Sequence, residues 1–345
     1  MKRLVAPSQM SPVGCTALSP LPPMQPLPRL RGRARGIGLA ELMVAIAVGA
    51  LVLLLGATLL ANANAAYVAQ LDGAEIDDAG RYALEAVGRA VRQAAYIDWD
   101  QGDTAVGVDA AMAAPLSGLD ARSLSKNTSG IDDALPDVAN GSDVLALRFA
   151  GAGPAPDGDG SMLSCAGFGV AGAQDGWSIF YVARGADGQA ALYCKYRGAA
   201  GWGADALVGG VDSFQVLYGV DTDTPADGVA NRYLNASALD ALDDALLLEG
   251  ADAAERARDR RRKTHWKRVV SVKVALALHG ARRTRANVEP KVFDLFGPEY
   301  SAGAGGADTG TRLDEARMGE SLRTRERKVV GITIALRNGA RGGSL

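Results

Sequence analysis

Few side chains in this sequence stand where they could do chemistry, and the most isolated of them is a glutamate. Glu41 is the one charged residue in the apolar run 37–61. A carboxylate inside an apolar helix costs about 2.5–3.5 kcal/mol on insertion scales. Such a residue either lies in a headgroup layer, where the cost is small, or has a cationic partner. Asp221, Asp223 and Asp227 form a second group, close enough in sequence to offer oxygen ligands to calcium. Their spacing lacks the alternation and closing glutamate of an EF-hand, and Pro225 interrupts it, so a solvated turn is the expected state. A third group is basic: Arg256, Arg258, Arg260, Arg261, Arg262, Lys263, Lys267 and Arg268. Such a run can attract phosphates, but Asp252, Glu255 and Asp259 dilute it, and it reads as a solvated loop or a subunit contact. His265 and His279 are isolated, with neither metal-binding spacing nor a nucleophile elbow. No enzyme and no cofactor are expected.

These residues sit in a chain of 345 residues with 37 Lys and Arg against 39 Asp and Glu. That balance argues against a strongly basic nucleic-acid binder and against an acidic disordered chain. The charge is unevenly spread, however. Residues 1–36 hold Lys2, Arg3, Arg29, Arg31, Arg33 and Arg35, no acidic residue, and seven of the 14 prolines. Such a segment cannot sustain a helix or a core and reads as a basic extended leader. The run 37–61 follows at once. At about 1.5 Å per residue it is long enough to cross a bilayer core of about 30 Å. The basic flank then stays in the cytoplasm and everything after residue 61 lies outside. A secretory signal fits less well, because its apolar region is shorter, although Ala61-Asn62-Ala63 offers a small-residue site.

The residues around the glutamate carry a resemblance. Arg35-Gly36-Ile37-Gly38-Leu39-Ala40-Glu41-Leu42-Met43-Val44-Ala45 resembles the cleavage and methylation motif of type IV prepilins. The resemblance implies cutting after Gly36 by a prepilin peptidase, methylation of the new N-terminus at Ile37, and an assembly role for Glu41. A carboxylate there can neutralise the α-amine of a neighbouring subunit, which lowers the desolvation cost of both charges and sets a helical register.

Residues 62–97 continue the helix. Ile76, Gly80, Ala83, Val87, Ala90, Val91 and Ala94 form one apolar stripe, with Asp77, Asp78, Arg81, Glu85, Arg89 and Arg92 opposite. Residues 98–345 read as a β-rich globular domain. Residues 211–220, 269–278 and 329–336 alternate apolar and polar positions, the mark of half-covered antiparallel strands. Shorter candidates are 144–149, 178–183 and 190–196, while 101–140, 239–263 and 280–324 read as loops or insertions. The fold expected is α+β, with the helix covering one face of an antiparallel sheet.

Several stretches extend the resemblance. Gly80-Arg81-Tyr82-Ala83-Leu84 with Val91-Arg92-Gln93-Ala94, the segment 207–221, Trp266 with Val269-Val270-Ser271-Val272, and 327–338 are similar to the PilW family of type IV pilus minor pilins. That implies a type IV pilin-like fold and a minor pilin that initiates or supports pilus assembly. Its partners would be other pilins, the prepilin peptidase and the inner-membrane assembly platform. The precursor would sit in the inner membrane with its C-terminus in the periplasm, then join the pilus. A minor pseudopilin of type II secretion shares the same N-terminal logic, and a tip adhesin or DNA-binding subunit is the alternative of another class. Cleavage would remove Cys15, leaving Cys165 and Cys194 in an oxidising compartment, where a disulfide is expected over two buried thiols. Similar minor pilins often carry such a pair.

Overall fold

The computed structural model describes residues 36, 38–95, 112–136, 139–172, 174–285 and 289–338. The chain divides into two units, Met1–Leu59 and Leu60–Leu345, and helix α1, Leu39–Gln93, contributes to both. Within the first unit every described residue is exposed, including Leu42, Met43, Val44, Ile46, Leu51 and Leu55. An unbroken apolar surface of this kind cannot be accounted for by packing in the chain itself.

In the second unit, α1 behaves as its periodicity dictates. Ile76, Gly80, Ala83, Ala86, Val87, Ala90 and Val91 are buried, whereas Asp77, Asp78, Arg81, Glu85 and Arg89 are exposed. Gly80 is placed by close approach: a Cβ there would meet Val330 Cγ2 at 3.1 Å and Leu278 Cδ1 at 3.5 Å. Ala94 and Ala95 turn out of the helix; residues 96 and 97 of the expected helical segment lie outside the described residues.

Two antiparallel sheets meet this helix. The first has the order β1-β2-β3-β4-β5 and is built from Leu116–Leu119, Val144–Ala150, Asp175–Arg184, Ala190–Gly198 and Gly201–Gly209. The second has the order β11-β8-β6-β7, from Arg327–Ala335, Val269–His279, Val211–Val220 and Arg232–Leu234. Gly210 alone joins β5 to β6. Its φ is +71°, and a Cβ would lie 2.7 Å from the carbonyl oxygen of His279, so only glycine lets the chain change sheets here. One core binds the layers: Val87 and Val91 of α1 share it with Leu145, Phe180 and Leu192 of the first sheet and Phe214, Val216, Val274 and Leu276 of the second. The fold is α+β, a long N-terminal helix followed by antiparallel sheets.

Two expectations need correction. β6 is buried along its whole length, not half-covered. Its polar side is roofed by loops: Gln215 Nε2 donates to the carbonyl of Gly141 at 2.8 Å, and Ser213 Oγ to that of Gly310 at 3.1 Å. On the same side of β8, Ala275 and Ala277 pack under Leu295 and Leu313, beside a small ladder of β9 (Val292–Asp294) and β10 (Arg312–Asp314). Small residues on that side leave room for an added layer. The second correction concerns the three stretches read as loops or insertions, which carry regular structure: β1 lies in 101–140 and β9 and β10 in 280–324, while 239–263 holds most of α2, Ala236–Asp244, and all of α3, Ala253–Lys263. Each is started by a side-chain cap: Asn235 accepts from the Ala238 N–H, and Asp252 from the Glu255 N–H.

Candidate functional site

Glu41 stands at the third position of α1, and its carboxylate reaches back to the first free donor of the helix. The Gly38 N–H donates to Glu41 Oε2 at 3.1 Å, while the Gly38 carbonyl accepts from the Leu42 N–H at 3.1 Å. This is half of a capping box, placed where the helix dipole favours negative charge. Gly36 is exposed; Ile37 lies outside the described residues, as does the leader apart from Gly36. A negative group at the start of a fully exposed apolar helix can do two things chemically. It caps its own helix, and it can accept a cation in surroundings that exclude water.

The other sequence candidates fall on separate parts of the second unit. Cys165 and Cys194 form a disulfide with Cα atoms 5.9 Å apart. It ties the loop before β3 to the middle of β4, and by the chain-entropy model a loop of this length is worth about 3–4 kcal/mol. Asp221, Asp223 and Asp227 bring carboxylate oxygens within 4.8 Å of one another. Each already accepts a bond from its own loop. Asp221 takes the N–H groups of Asp223 (3.0 Å) and Gly228 (2.7 Å), Asp227 that of Val229 (2.8 Å), and Asp223 the amide of Asn231 (3.0 Å). The Gly228 N–H, foremost, holds the Asp221 carboxyl below the usual carboxylate range. The loop is thus organised by its own donors.

Of the basic run, residues 256–263 lie on α3 and 267–268 close the turn before β8. Asp259 is buried against the body and pairs with Lys263 at 2.8 Å, while Arg260 pairs with Asp244. The histidines read as isolated in sequence are partnered. His265 Nδ1 lies 2.8 Å from Asp243, and His279 Nδ1 lies 3.0 Å from Asp212.

Sequence reasoning missed two buried polar clusters. The first fastens one end of the second sheet. Arg327 Nε donates to Asp212 at 2.7 Å and Arg327 Nη1 to Glu315 at 2.9 Å, and Glu315 also accepts from Arg285 at 2.7 Å. Burial works to raise the Asp212 carboxyl, but His279 and Arg327 hold it below its ordinary value. Burial likewise works to raise Glu315, but the Lys291 N–H and the guanidinium groups of Arg285 and Arg327 outweigh it and hold that carboxyl low.

The second cluster gathers carboxylates around the start of α2. Asp120 accepts from the N–H groups of Ala236 (2.9 Å) and Ser237 (2.7 Å), and Asp143 from those of Ala121 (3.1 Å) and Val216 (2.9 Å). Burial, with repulsion from Asp120, raises the Asp143 carboxyl well above its usual range. Burial also raises Asp240 and Asp308. These three carboxylates bind a proton more tightly folded than unfolded, so stability falls as pH rises from about 4 through their folded values. Asp212 and Glu315 act oppositely, but their contribution is lost only below the ordinary carboxylate range. The thermal midpoint of the full chain in detergent is therefore expected to fall as pH rises above the ordinary carboxylate range, and Asp143→Asn to flatten the profile. A midpoint that rises with pH there contradicts the cluster's role.

Comparison with known proteins adds three findings. Residues 179–338, from within β3 to beyond β11, match the model of the PilW family, described as Type IV Pilus-assembly protein W. No curated protein sequence matches the chain. Among solved structures, a type IV-like pilin from Thermus thermophilus is similar at 13% identity, covering 77% of this chain and 98% of its own, with a TM-score of 0.33.

Proposed function

We propose that this chain, which matches the PilW family through residues 179–338, is a minor pilin that enters a type IV pilus by its N-terminal helix. The observation that carries the reading is the start of α1: an apolar helical stretch, exposed at every described residue, with Glu41 as its single charge. Such a stretch is long enough to cross a membrane and has to be covered by lipid or by other helices. The precursor would sit in the inner membrane with residues 1–36 in the cytoplasm and its C-terminus outside. Cleavage after Gly36 would free an α-amine at Ile37, which a methyl donor would then methylate in a separate transfer. Glu41 would then neutralise the amine of a neighbouring subunit and fix the register of the filament.

The second unit supports this as a structural part. Buried Arg327 is held to Asp212, buried Asp143 accepts from the Val216 N–H, and the disulfide holds a loop against the sheet. Its work would be assembly, initiating or supporting a filament through contacts with other pilins.

Mass spectrometry of the mature protein tests the proposal. The expected N-terminus is Ile37 carrying one methyl group. An intact leader, or an N-terminus at Asn64 after signal-type cleavage following Ala63, would overturn it.

A further inference from the structure

Strand β5 ends the first sheet, pairing with β4 on one side and with no strand on the other. An edge strand offers unpaired N–H and C=O groups to any extended chain, and proteins usually blunt it with lysine, proline, a bulge or a covering segment. The sequence of β5, Gly-Trp-Gly-Ala-Asp-Ala-Leu-Val-Gly, holds no lysine, arginine or proline. Its register slips once, opposite Leu192 and Tyr193, which leaves residues 201–206 paired without a break to 198–193. Among the described residues, no loop or turn makes a backbone hydrogen bond to these six. The other long edge strand, β11, differs: it begins Arg327-Lys328, and Lys328 is tied to Asp77 of α1 at 2.8 Å.

Two features beside the β5 edge could select an occupant. Gly203 faces Tyr196 across the ladder and has no side chain to cover its ring; a Cβ there would lie 3.3 Å from it. Phe168, 53% exposed, extends this aromatic shelf, its ring centroid 4.9 Å from that of Tyr196. It stands three residues after the disulfide-bonded Cys165, so the shelf is anchored to the sheet. Asp205 lies on the same face of β5, two residues beyond Gly203. It is exposed and accepts from the Tyr196 hydroxyl at 3.0 Å, and no cation pairs with it among the described residues.

We propose that the edge of β5 is a docking site for an extended segment of another protein, added to the sheet as an antiparallel strand and carrying Lys or Arg two residues before a large apolar side chain. Strand addition supplies main-chain hydrogen bonds, and alternate side chains of the added strand supply the selectivity. Antiparallel addition continues the pairing of every other strand in this sheet. In that direction the residue facing Asp205 comes first and the residue facing Gly203 comes two later. The cation then meets the unpaired carboxylate, and the apolar group covers Tyr196 and Phe168 in the space that Gly203 leaves open. The β5 strand of a second copy is the poorer occupant. Its one charge is again an aspartate, which can answer Asp205 only with repulsion.

The test uses the full chain in a non-ionic detergent and a fluorescein-labelled synthetic peptide with blocked ends, Ser-Thr-Val-Lys-Thr-Phe-Val-Ser. Fluorescence anisotropy is expected to show saturable binding to wild type. The variant D205K should lose on the order of tenfold in affinity, because an attractive cross-strand pair becomes a repulsive one. A second peptide with glutamate in place of the lysine should show the reverse preference, binding D205K better than wild type. The variant G203V, whose side chain takes the space meant for the phenylalanine, should weaken both peptides. Matching circular dichroism melts exclude misfolding as the cause, and the exchange of preference between the two peptides is a result that misfolding cannot produce. Equal binding of the lysine peptide by wild type and D205K overturns the proposal. So does failure of that peptide to bind wild type, or self-association of the wild type that G203V abolishes, since a second copy would then fill the edge.

Discussion

Arg327→Met is expected to destabilise the second unit by about 3–5 kcal/mol, the usual range for removing one partner of a buried ion pair. The guanidinium is fully buried and divides its donors between Asp212 and Glu315. Methionine fills much the same volume but leaves both carboxylates facing an apolar side chain. Asp212 retains His279 at 3.0 Å, and Glu315 retains Arg285 at 2.7 Å, so the deficit reflects weakened pairing and not two bare charges. Arg327→Lys should recover only part of it, because one ammonium cannot reproduce the fork that spans both acids. Denaturant midpoints of the full chain in detergent measure the effect. Losing Arg327 also raises both carboxyls towards protonation, so the deficit should shrink as pH falls towards 4. A loss below about 1 kcal/mol at pH 7 would mean that the network is not the fastening it resembles.

That network shows which parts of the molecule its sequence exposes. Helix α1 and strands β6, β8 and β11 are legible because their apolar residues recur at helix or strand spacing over many positions, and periods of 3.6 and 2 survive averaging. The disulfide follows from reading residues 1–36 as a leader and the rest as lying outside the membrane, which leaves two cysteines where oxidation is expected. Asp212, His279, Glu315 and Arg327 carry no such signal. They lie far apart in sequence and meet only because β6, β8 and β11 end together: Arg327 pairs with His279 across the ladder, and Val211 with Leu278. Asp72 is similar. It is fully buried in α1 with one oxygen against Gly280, where a Cβ would come within 1.9 Å. The short strands β1, β7, β9 and β10 are too brief for a period to register. β5 is rich in glycine and alanine, so its alternation has little contrast. Helices α2 and α3 were hidden for another reason. The buried residue of α3 is an aspartate, Asp259, so no apolar stripe marks it, and α2 buries only Ala236, Leu239 and Asp243 over nine residues, too short a run for a period to register. Capping residues Asn235 and Asp252 were the available clue.

For the minor pilin proposed above, Glu41→Gln is expected to leave the proposed cleavage after Gly36 intact and to remove the subunit from filaments. Glutamine keeps an oxygen that can accept the Gly38 N–H, now 3.1 Å from Glu41 Oε2, so the helix start survives. Only the charge is lost. An α-amine brought into an apolar filament core without a counter-ion faces a cost of about 2.5–3.5 kcal/mol on insertion scales. At about 1.4 kcal/mol per tenfold, that is a loss on the order of a hundredfold in retention. Glu41→Ala removes the cap as well and should be no better. Glu41→Asp, one methylene shorter, should restore part of the incorporation. Immunoblots of sheared pili measure incorporation, and mass spectrometry of the membrane fraction verifies that each variant still begins at Ile37. If the glutamine variant enters filaments like wild type, the carboxylate is not pairing with a neighbour's amine, and its capping of Gly38 is its whole role. If incorporation fails only in the alanine variant, the helix start and not the charge is what assembly requires. Loss in both glutamine and alanine variants with partial rescue by aspartate is the pattern that electrostatic pairing demands.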